Sequence, residues 1–238
     1  MDLRCIEKIF IFNTIYCIMK LNFYTNYSPS HKVLFDEYFS KSFPHHEFNL
    51  HIQLDEQKCP SGNYHSQGYA ESCLLKVKML INACKNNMNS YFVFSDIDVQ
   101  FFGDIKDILI EELGDYDIAC QSDNHVYCAG FFICRCNKKT LALFEAMAND
   151  LECNLNNLEI DCQYMLNKYI PILNINAKNL SRKFITVGNI MSGVWDENRG
   201  EIIFPKDILM HHANFTIGVP NKIKLLEIVR TQINGGSR

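Results

Sequence analysis

The feature that most constrains this chain is a continuous apolar run that ends abruptly in two carboxylates. Residues 91–94 read Tyr-Phe-Val-Phe, and Ser95 is followed by Asp96-Ile-Asp98. An uninterrupted apolar run predicts a strand that is covered on both faces, as in a sheet with helices on either side. Because ligands of open α/β sheets bind at the carboxyl ends of the strands, the two acids stand where a ligand is expected.

Two carboxylates at this spacing repel each other and lose solvation, and a divalent cation with oxygen ligands is the usual compensation. Carboxylate oxygens suit Mg²⁺ or Mn²⁺, and such ions commonly keep a substrate phosphate among their ligands. We therefore predict that Asp96 and Asp98 hold a metal that binds a diphosphate. The structural alternative is that one of these acids caps the helix that follows Asp104.

The rest of the chain alternates between strand and helix patterns, which predicts a layered α/β domain. Strands are predicted at residues 20–25, 48–54, 90–94, 116–121, 130–136 and 172–175, and helices at residues 31–43, 69–86, 105–113, 138–149, 162–168 and 222–230. The polar residues 56–66 contain Pro60-Ser-Gly62 and predict a loop. No repeat, linker or charge block marks a boundary, so we predict one domain over residues 20–238.

Composition excludes several classes of protein. The 238 residues are 47% hydrophobic and 21% charged, which is typical of a globular protein with a sizeable core and excludes a disordered chain or a coiled-coil rod. The formal net charge is −4. A basic excess is therefore absent, and we expect neither bulk nucleic-acid binding nor membrane binding through general basicity.

Residues 1–19 and the cysteines bear on the compartment. The first segment has basic residues before an apolar run that is too short and too polar for a confident transmembrane helix, so we interpret it as a core strand or helix. The chain has 11 cysteines, which we interpret as reduced and mostly buried thiols. We therefore expect a cytoplasmic protein without membrane association. If residues 1–20 act as an anchor, the alternative is a membrane of the secretory pathway.

Four stretches together resemble the nucleotide-diphospho-sugar transferase family, a group of GT-A glycosyltransferases. They are Phe94-Ser-Asp-Ile-Asp-Val-Gln-Phe-Phe102, Cys128-Ala-Gly-Phe-Phe-Ile-Cys-Arg-Cys-Asn137, Asp161-Cys-Gln-Tyr-Met-Leu-Asn167 and His211-His-Ala-Asn-Phe-Thr-Ile-Gly-Val-Pro-Asn-Lys222. Their order spans about residues 20–230. The resemblance implies a Rossmann-like GT-A domain with a mixed, mostly parallel central sheet flanked by helices. It also implies transfer of a sugar from a nucleoside-diphosphate sugar to a hydroxyl acceptor on a glycan, a protein or a small molecule.

The resemblance implies a metal and phosphate site. Asp96 and Asp98 would hold Mn²⁺ or Mg²⁺, with His212 as a third ligand, and an imidazole ligand favours Mn²⁺. Lys222 would stabilise the leaving diphosphate, and Lys76 would neutralise phosphate charge. His212 is alternatively a satisfied core histidine, Lys222 is alternatively a solvated helix residue, and His211 competes with His212 by adjacency but would point the other way in an extended segment.

The same resemblance implies sugar and nucleotide contacts. Gly130 would let the backbone approach the donor sugar, because a Cβ there would collide with it, although a bulge glycine is the alternative. The remaining implied positions are Thr25 and the residues just after it for the nucleotide, Asp161 and Gln163 for catalysis, and Asn214 and Gly218 for substrate binding.

The chain departs from the family pattern at two cysteines. Cys162 separates Asp161 from Gln163, which are usually adjacent, and Cys128 stands two residues before Gly130, where many relatives have an amide. A thiol does not make the hydrogen bonds of an amide, so the acceptor subsite or the sugar is expected to differ.

Most relatives of this kind retain the anomeric configuration, and we expect retention here. The departing phosphate then takes the acceptor's proton, and no dedicated base is needed. Inversion would require a base, for which Asp161 or Asp123 are the candidates.

Two other functions remain open at this point. A haloacid dehalogenase-type phosphohydrolase would use Asp96 as a nucleophile, but Asp98 is followed by Val-Gln-Phe instead of that family's small residues. A non-catalytic sugar-binding module of the same fold would show no metal dependence and no turnover.

Overall fold

A six-stranded mixed sheet organises the protein. The computed structural model describes residues 20–187, 190–191, 193–199 and 202–235, so the predictions for residues 1–19 lie outside the described residues. The strands are β1 (Leu21–Tyr27), β2 (Phe48–Leu54), β3 (Tyr91–Ser95), β4 (Val99–Phe101), β5 (Ile118–Asp123), β6 (Val126–Arg135), β7 (Ala177–Asn179), β8 (Phe184–Thr186) and β9 (Met210–His212). The central sheet has the order β2-β1-β3-β6-β5-β7, in which only β6 runs antiparallel to its neighbours.

Helices cover both faces of this sheet, as predicted. They are α1 (residues 29–42, with a π-helical turn at Phe35–Phe39), α2 (Tyr69–Asn86), α3 (Lys106–Leu113), α4 (Lys138–Cys153), α5 (Cys162–Ile172) and α6 (Val219–Gly235). A 3₁₀ turn lies at Glu197–Arg199. None of the helices in the described ranges combines the length and the apolar character needed to cross a membrane.

Strand β3 lies between β1 and β6 and is covered on both sides. Phe92 and Phe94 point to the core that α2, α4 and α5 cover, whereas Val93 points to the opposite core with Phe101 and Phe131. All of these side chains are buried. Successive side chains of a strand point to opposite faces, and both faces are covered here. Apolar residues are therefore needed at consecutive positions of β3, which explains the continuous apolar run in the sequence.

A second sheet of three short strands brings the end of the chain to β3. Its order is β4-β9-β8, and β9 pairs antiparallel with β4 so that Val99 is opposite His212. The amide of Ala213 also donates to the carbonyl of Asp98 at 2.9 Å. This pairing places the residues after β3 beside residues that are more than a hundred positions away in the sequence.

The predicted strand at residues 172–175 is wrong. Ile172 is the last residue of α5, and Asn174 has a positive φ of 51° that reverses the chain. The strand follows as β7, which pairs with β5. Three apolar residues among four do not distinguish the end of a buried helix from a strand, because both bury apolar side chains. Strands β4, β8 and β9 were not predicted, since three-residue strands carry too little periodicity.

The nine cysteines among the described residues are all free, and Cys153 alone of these is exposed. This agrees with the expectation of reduced, buried thiols. Two of the buried thiols, Cys128 and Cys162, lie on the wall of the site described below.

Candidate functional site

Two adjoining cavities open at the carboxyl ends of β1 and β3. The β1 cavity has a volume of about 170 Å³ and includes Asn26, Tyr27 and Ser28 in its wall. The Gly130 cavity has a volume of about 320 Å³ and includes Gly130 and Gln163. The residues that line both cavities are Gly62, Tyr69, Lys76, Asp96, Asp98, Cys162 and Lys222. The predicted acids therefore lie at the junction of the two cavities, together with two lysines.

Asp98 is the most connected group at this junction. Its Oδ1 lies 3.2 Å from His212 Nε2, and its Oδ2 accepts a hydrogen bond from the Lys222 ammonium. Lys222 stands in the first turn of α6 and also donates to the carbonyl of Ala213 at 3.1 Å. Burial alone would raise the pKa of Asp98, but the adjacent Lys222 ammonium holds that pKa well below its usual range. Asp98 is therefore ionised at neutral pH.

Asp96 is paired with the other lysine. Lys76 of α2 is buried, and its Nζ lies 2.7 Å from Asp96 Oδ1 and 4.7 Å from the centre of the Phe94 ring. Burial alone would lower the pKa of Lys76, but the neighbouring Asp96 carboxylate raises it instead. The backbone amide of Asp96 donates to the Gly130 carbonyl at 2.7 Å, which fixes the acid against β6.

The histidine is oriented as a metal ligand would be. His212 Nδ1 lies 3.0 Å from Gln121 Oε1, and the Gln121 amide nitrogen donates to the carbonyl of Ile185, so the Gln121 oxygen faces the ring. In the neutral ring, Nδ1 carries the proton and Nε2 presents its lone pair to Asp98 Oδ1. Two lone-pair atoms 3.2 Å apart repel each other, and a cation bound by both removes that repulsion.

The donor set fits a divalent cation. One ligand atom from each of Asp96, Asp98 and His212 lies within 4.8 Å of the others. Two carboxylates and one imidazole suit Mn²⁺ better than an all-oxygen ion such as Ca²⁺. The alternative that one of these acids caps the following helix does not hold, because Glu47 accepts the amides of Ile105 and Lys106 at the start of α3.

Gly130 leaves the space that this cluster occupies. A Cβ at this position would lie 2.2 Å from His212 Cε1 and 2.9 Å from Asp96 Oδ2. Both distances are far below van der Waals contact, so any side chain here would displace the histidine or the acid. The absence of a side chain is therefore required for the junction, and the bulge alternative does not explain it.

Gln163 and Asn214 line the Gly130 cavity. Gln163 donates to Asp123 Oδ2 at 3.0 Å. Burial raises the pKa of Asp123, and this effect outweighs the hydrogen bond from Gln163, which lowers it. Asn214 accepts the amide of Val187 at 2.9 Å. Asp161 lies at the rim, where its carboxylate caps α5 by accepting the amide of Tyr164 at 2.7 Å.

The structure corrects two expected substrate contacts. Thr25 is fully buried within the sheet and is absent from the walls of the described cavities, which Asn26 and the two residues after it reach instead. Gly218 has a positive φ of 81° before α6, and its amide donates to Asn63 Oδ1 at 2.8 Å. This hydrogen bond connects the 56–66 loop to the start of α6, and it occupies the Gly218 amide that a substrate would otherwise bind.

Sequence reasoning missed several wall residues. His31 and Asp55 line the β1 cavity, and Tyr64, His65 and Phe215 line the Gly130 cavity. Phe215 has a positive φ of 49°, which is uncommon for an aromatic residue. Phe215 lies within the stretch 211–222 that resembles the family, whereas the other four residues belong to no motif and only the fold shows that they line these cavities.

His211 predicts a pH dependence of stability. It points away from the site, as expected for an extended segment, and burial lowers its pKa to about 3. In the unfolded chain the ring binds a proton near pH 6.5, whereas in the folded protein it does so only near pH 3. Between these values the unfolded state binds more protons, so the free energy of unfolding falls as the pH drops from about 6.5 towards 3. We expect His211→Leu to reduce this loss by about 2 kcal/mol at pH 4.5, measured by urea unfolding at pH 7 and pH 4.5. His46→Leu at an exposed position is the control, and equal losses in all three proteins would contradict the prediction.

Comparison with known proteins gives one family match and several structural matches. The family model for nucleotide-diphospho-sugar transferases matches residues 35–226. A comparison with curated protein sequences gives no match.

Among solved structures, the apo form of the glycosyltransferase GlyE from Streptococcus pneumoniae TIGR4 is similar with a TM-score of 0.53 and 13% identity over 92% of this chain, which spans 63% of GlyE. A glycosyltransferase involved in glycosylation of the major capsid of PBCV-1 has a TM-score of 0.55 and 10% identity, over 88% of this chain and 100% of its own. The galactosyltransferase LgtC, solved with donor and acceptor sugar analogues, has a TM-score of 0.50 and 10% identity, over 89% of this chain and 96% of its own. At these identities the likeness shows a shared fold.

Proposed function

Because the chain belongs to the nucleotide-diphospho-sugar transferase family, we propose that it is a metal-dependent glycosyltransferase. It moves a sugar from a nucleoside-diphosphate sugar to a hydroxyl acceptor, with retention of the anomeric configuration. The observation that carries this proposal is the position of two acids, two lysines and a histidine where two cavities meet. One cavity then takes the nucleoside, and the other takes the sugar and the acceptor.

The division between the cavities follows from their chemistry. The β1 cavity ends at polar groups of Asn26, Ser28 and Asp55, which suit the hydrogen-bonding edge of a base and the hydroxyls of a ribose. The Gly130 cavity offers Gln163 and Asp123, which suit sugar hydroxyls. A diphosphate is the only part of the donor that needs cations, and the lysines stand between the two cavities.

Asp96, Asp98 and His212 would hold the metal, which is Mn²⁺ or Mg²⁺. When bound, the metal supplies Lewis-acid neutralisation of the diphosphate charge. Lys222 is positioned to donate to the leaving phosphate, since its ammonium already lies beside Asp98. Lys76 orients Asp96 through their 2.7 Å contact.

The remaining residues orient the sugar and the acceptor. Gly130 allows the sugar to approach the backbone. Gln163 binds the acceptor, and its hydrogen bond to Asp123 fixes its position. Retention needs no protein base, because the departing phosphate oxygen accepts the acceptor's proton. Asp161 then acts as a positioning residue, since its cap fixes the first turn of α5 and so the place of Gln163. If products are inverted, Asp123 is the better base candidate, because the carboxylate of Asp161 is engaged by its helix cap.

A thermal-shift panel tests this function. Each of the common nucleoside-diphosphate sugars is added with and without Mn²⁺, and we expect one nucleotide class to stabilise the protein only when Mn²⁺ is present. At a ligand concentration of a hundred times Kd, the expected rise in melting temperature is about 5–10 °C for a chain of this size.

The matched variants for this panel lie on one helix. Lys222→Met is expected to remove most of the shift in melting temperature. Lys224 lies two positions further along α6, is exposed and pairs with Glu197, so Lys224→Met is expected to keep the shift. A shift that is independent of Mn²⁺ and survives in Lys222→Met would overturn the assignment of the junction.

Analysis of the products separates the two alternatives. A phosphohydrolase releases inorganic phosphate and forms a covalent intermediate at Asp96, and the family match gives it no support. A non-catalytic module binds the donor but transfers no sugar and does not hydrolyse it, which mass spectrometry of the donor after long incubation detects.

A further inference from the structure

Two cysteines line part of the cavity in which the sugar is proposed to bind. Cys128 of β6 and Cys162 at the start of α5 both line the Gly130 cavity, with Ala129 between Cys128 and Gly130. Cys73 of α2 lines the adjoining β1 cavity next to Cys162. All three cysteines are buried in the described structure, so water does not surround their side chains.

These sulfurs are already engaged with the protein. Cys128 Sγ accepts the amide of Gly130 at 3.4 Å and lies 3.8 Å from His212 Nδ1. The thiols of Cys73 and Cys162 lie in hydrogen-bonding contact with each other. A thiol is a weak donor and a weak acceptor even when it is free, and here that small capacity is directed at neighbouring protein groups. This part of the wall therefore offers a ligand little besides van der Waals contact.

A sugar hydroxyl pressed against such a wall loses its hydrogen bonds to water and gains no comparable partner. The cost of an unsatisfied buried polar group corresponds to roughly a tenfold to hundredfold loss of affinity. A C–H or methyl group at the same place loses nothing and gains contact with sulfur. The rest of the lining differs, because Gln163, Asp123 and the acids of the junction carry oxygen and nitrogen atoms that bind hydroxyls.

From this asymmetry we propose that Cys128 and Cys162 are specificity-determining residues, and that the donor sugar lacks a hydroxyl on the face that contacts them. The donor is then a deoxy sugar or a pentose instead of a fully hydroxylated hexose. This inference rests on the proposed function and deepens it by naming the class of sugar.

The test is a positional series of donors on one nucleotide. Glucose and galactose, their 2-, 3-, 4- and 6-deoxy analogues, and the matching pentoses are each attached to the nucleoside diphosphate that the thermal-shift panel selects. Dissociation constants are measured by calorimetry with Mn²⁺ present. We expect at least one analogue to bind ten times or more tightly than its parent hexose, and a smaller preference in every pair overturns the inference.

Variants assign the preference to the thiols. Cys162→Asp adds a carboxylate at the first residue of α5, where an acid suits the helix N-terminus, and we expect it to reduce the preference at least tenfold by improving binding of the hydroxylated parent. Cys128→Asn is the second variant, and Cys153→Asn at the exposed end of α4 is the control. An unchanged preference in folded Cys162→Asp and Cys128→Asn also overturns the inference.

The nucleoside diphosphate without sugar distinguishes the two levels of failure. If it binds with Mn²⁺ while the sugar series shows no preference, the sugar inference is wrong and the proposed function stands. If it does not bind at all, both are wrong.

Discussion

Replacement of Asp98 by asparagine should abolish Mn²⁺-dependent donor binding and lower turnover about a thousandfold. Asp98 contacts both His212 and Lys222, and its negative charge balances the positive charge of Lys222 and of a bound cation. Asparagine has nearly the same shape, so packing is kept while the negative charge and one acceptor oxygen are lost. Metal affinity is measured by calorimetry with Mn²⁺ alone, and turnover by release of the nucleoside diphosphate.

A carboxylate outside the site provides the control for this prediction. Asp107→Asn removes an exposed acid in the first turn of α3, and we expect it to leave both Mn²⁺ affinity and turnover within about twofold of the wild type. If Asp98→Asn still binds Mn²⁺ with wild-type affinity while its melting temperature is normal, Asp98 is not a metal ligand. Loss of the fold would be visible in the same melting curve and would call for Asp98→Glu as the second variant.

Gly130→Ala is expected to damage both the stability of the protein and the cluster of Asp96 and His212. The new Cβ would stand 2.2 Å from His212 Cε1 and 2.9 Å from Asp96 Oδ2, so the imidazole and the acid must move apart. We expect a loss of stability of about 1–3 kcal/mol and at least a hundredfold loss of turnover, because displaced ligands no longer share one cation. Urea unfolding and donor turnover measure the two effects separately.

The matched change for this prediction is Gly235→Ala at the end of α6. A Cβ there meets nothing within 4 Å, and alanine favours the helix, so stability is expected to stay the same or rise by a few tenths of a kcal/mol. Gly130→Ala with wild-type turnover would show that the cluster tolerates the methyl group, and the assigned role of Gly130 would then be wrong.

Much of the fold was predictable because its long elements carry strong local patterns. The helix at residues 69–86 and the strand at residues 48–54 were predicted with the bounds that the structure has. Helix α2 places its apolar residues at helical spacing, and the apolar run before Asp96 indicates a buried strand without any knowledge of its neighbours. Short elements such as β4 and β9 carry no such signal and form only through pairing with neighbouring strands.

The candidate site was predictable in its residue types but not in its contacts. The two acids after β3 indicated a cation from their own chemistry, and the resemblance to a family implied His212 and Lys222. The resemblance also implied Thr25, which the structure buries, and Gly218, whose amide is used by Asn63. Strand length and turn geometry decide which of several consecutive residues lines a cavity, and a short motif contains no information on either.

The sequence by itself determined that a buried strand ends in two acids and that helices cover a sheet on both faces, because apolar periodicity and charge are local properties of the chain. The tertiary structure alone decided that Val99 pairs with His212, that Lys76 and Lys222 reach Asp96 and Asp98 from two different helices, and that Cys128 and Cys162 line one cavity. These contacts join residues far apart in the chain, and their distances follow from how whole layers pack, which no segment encodes alone.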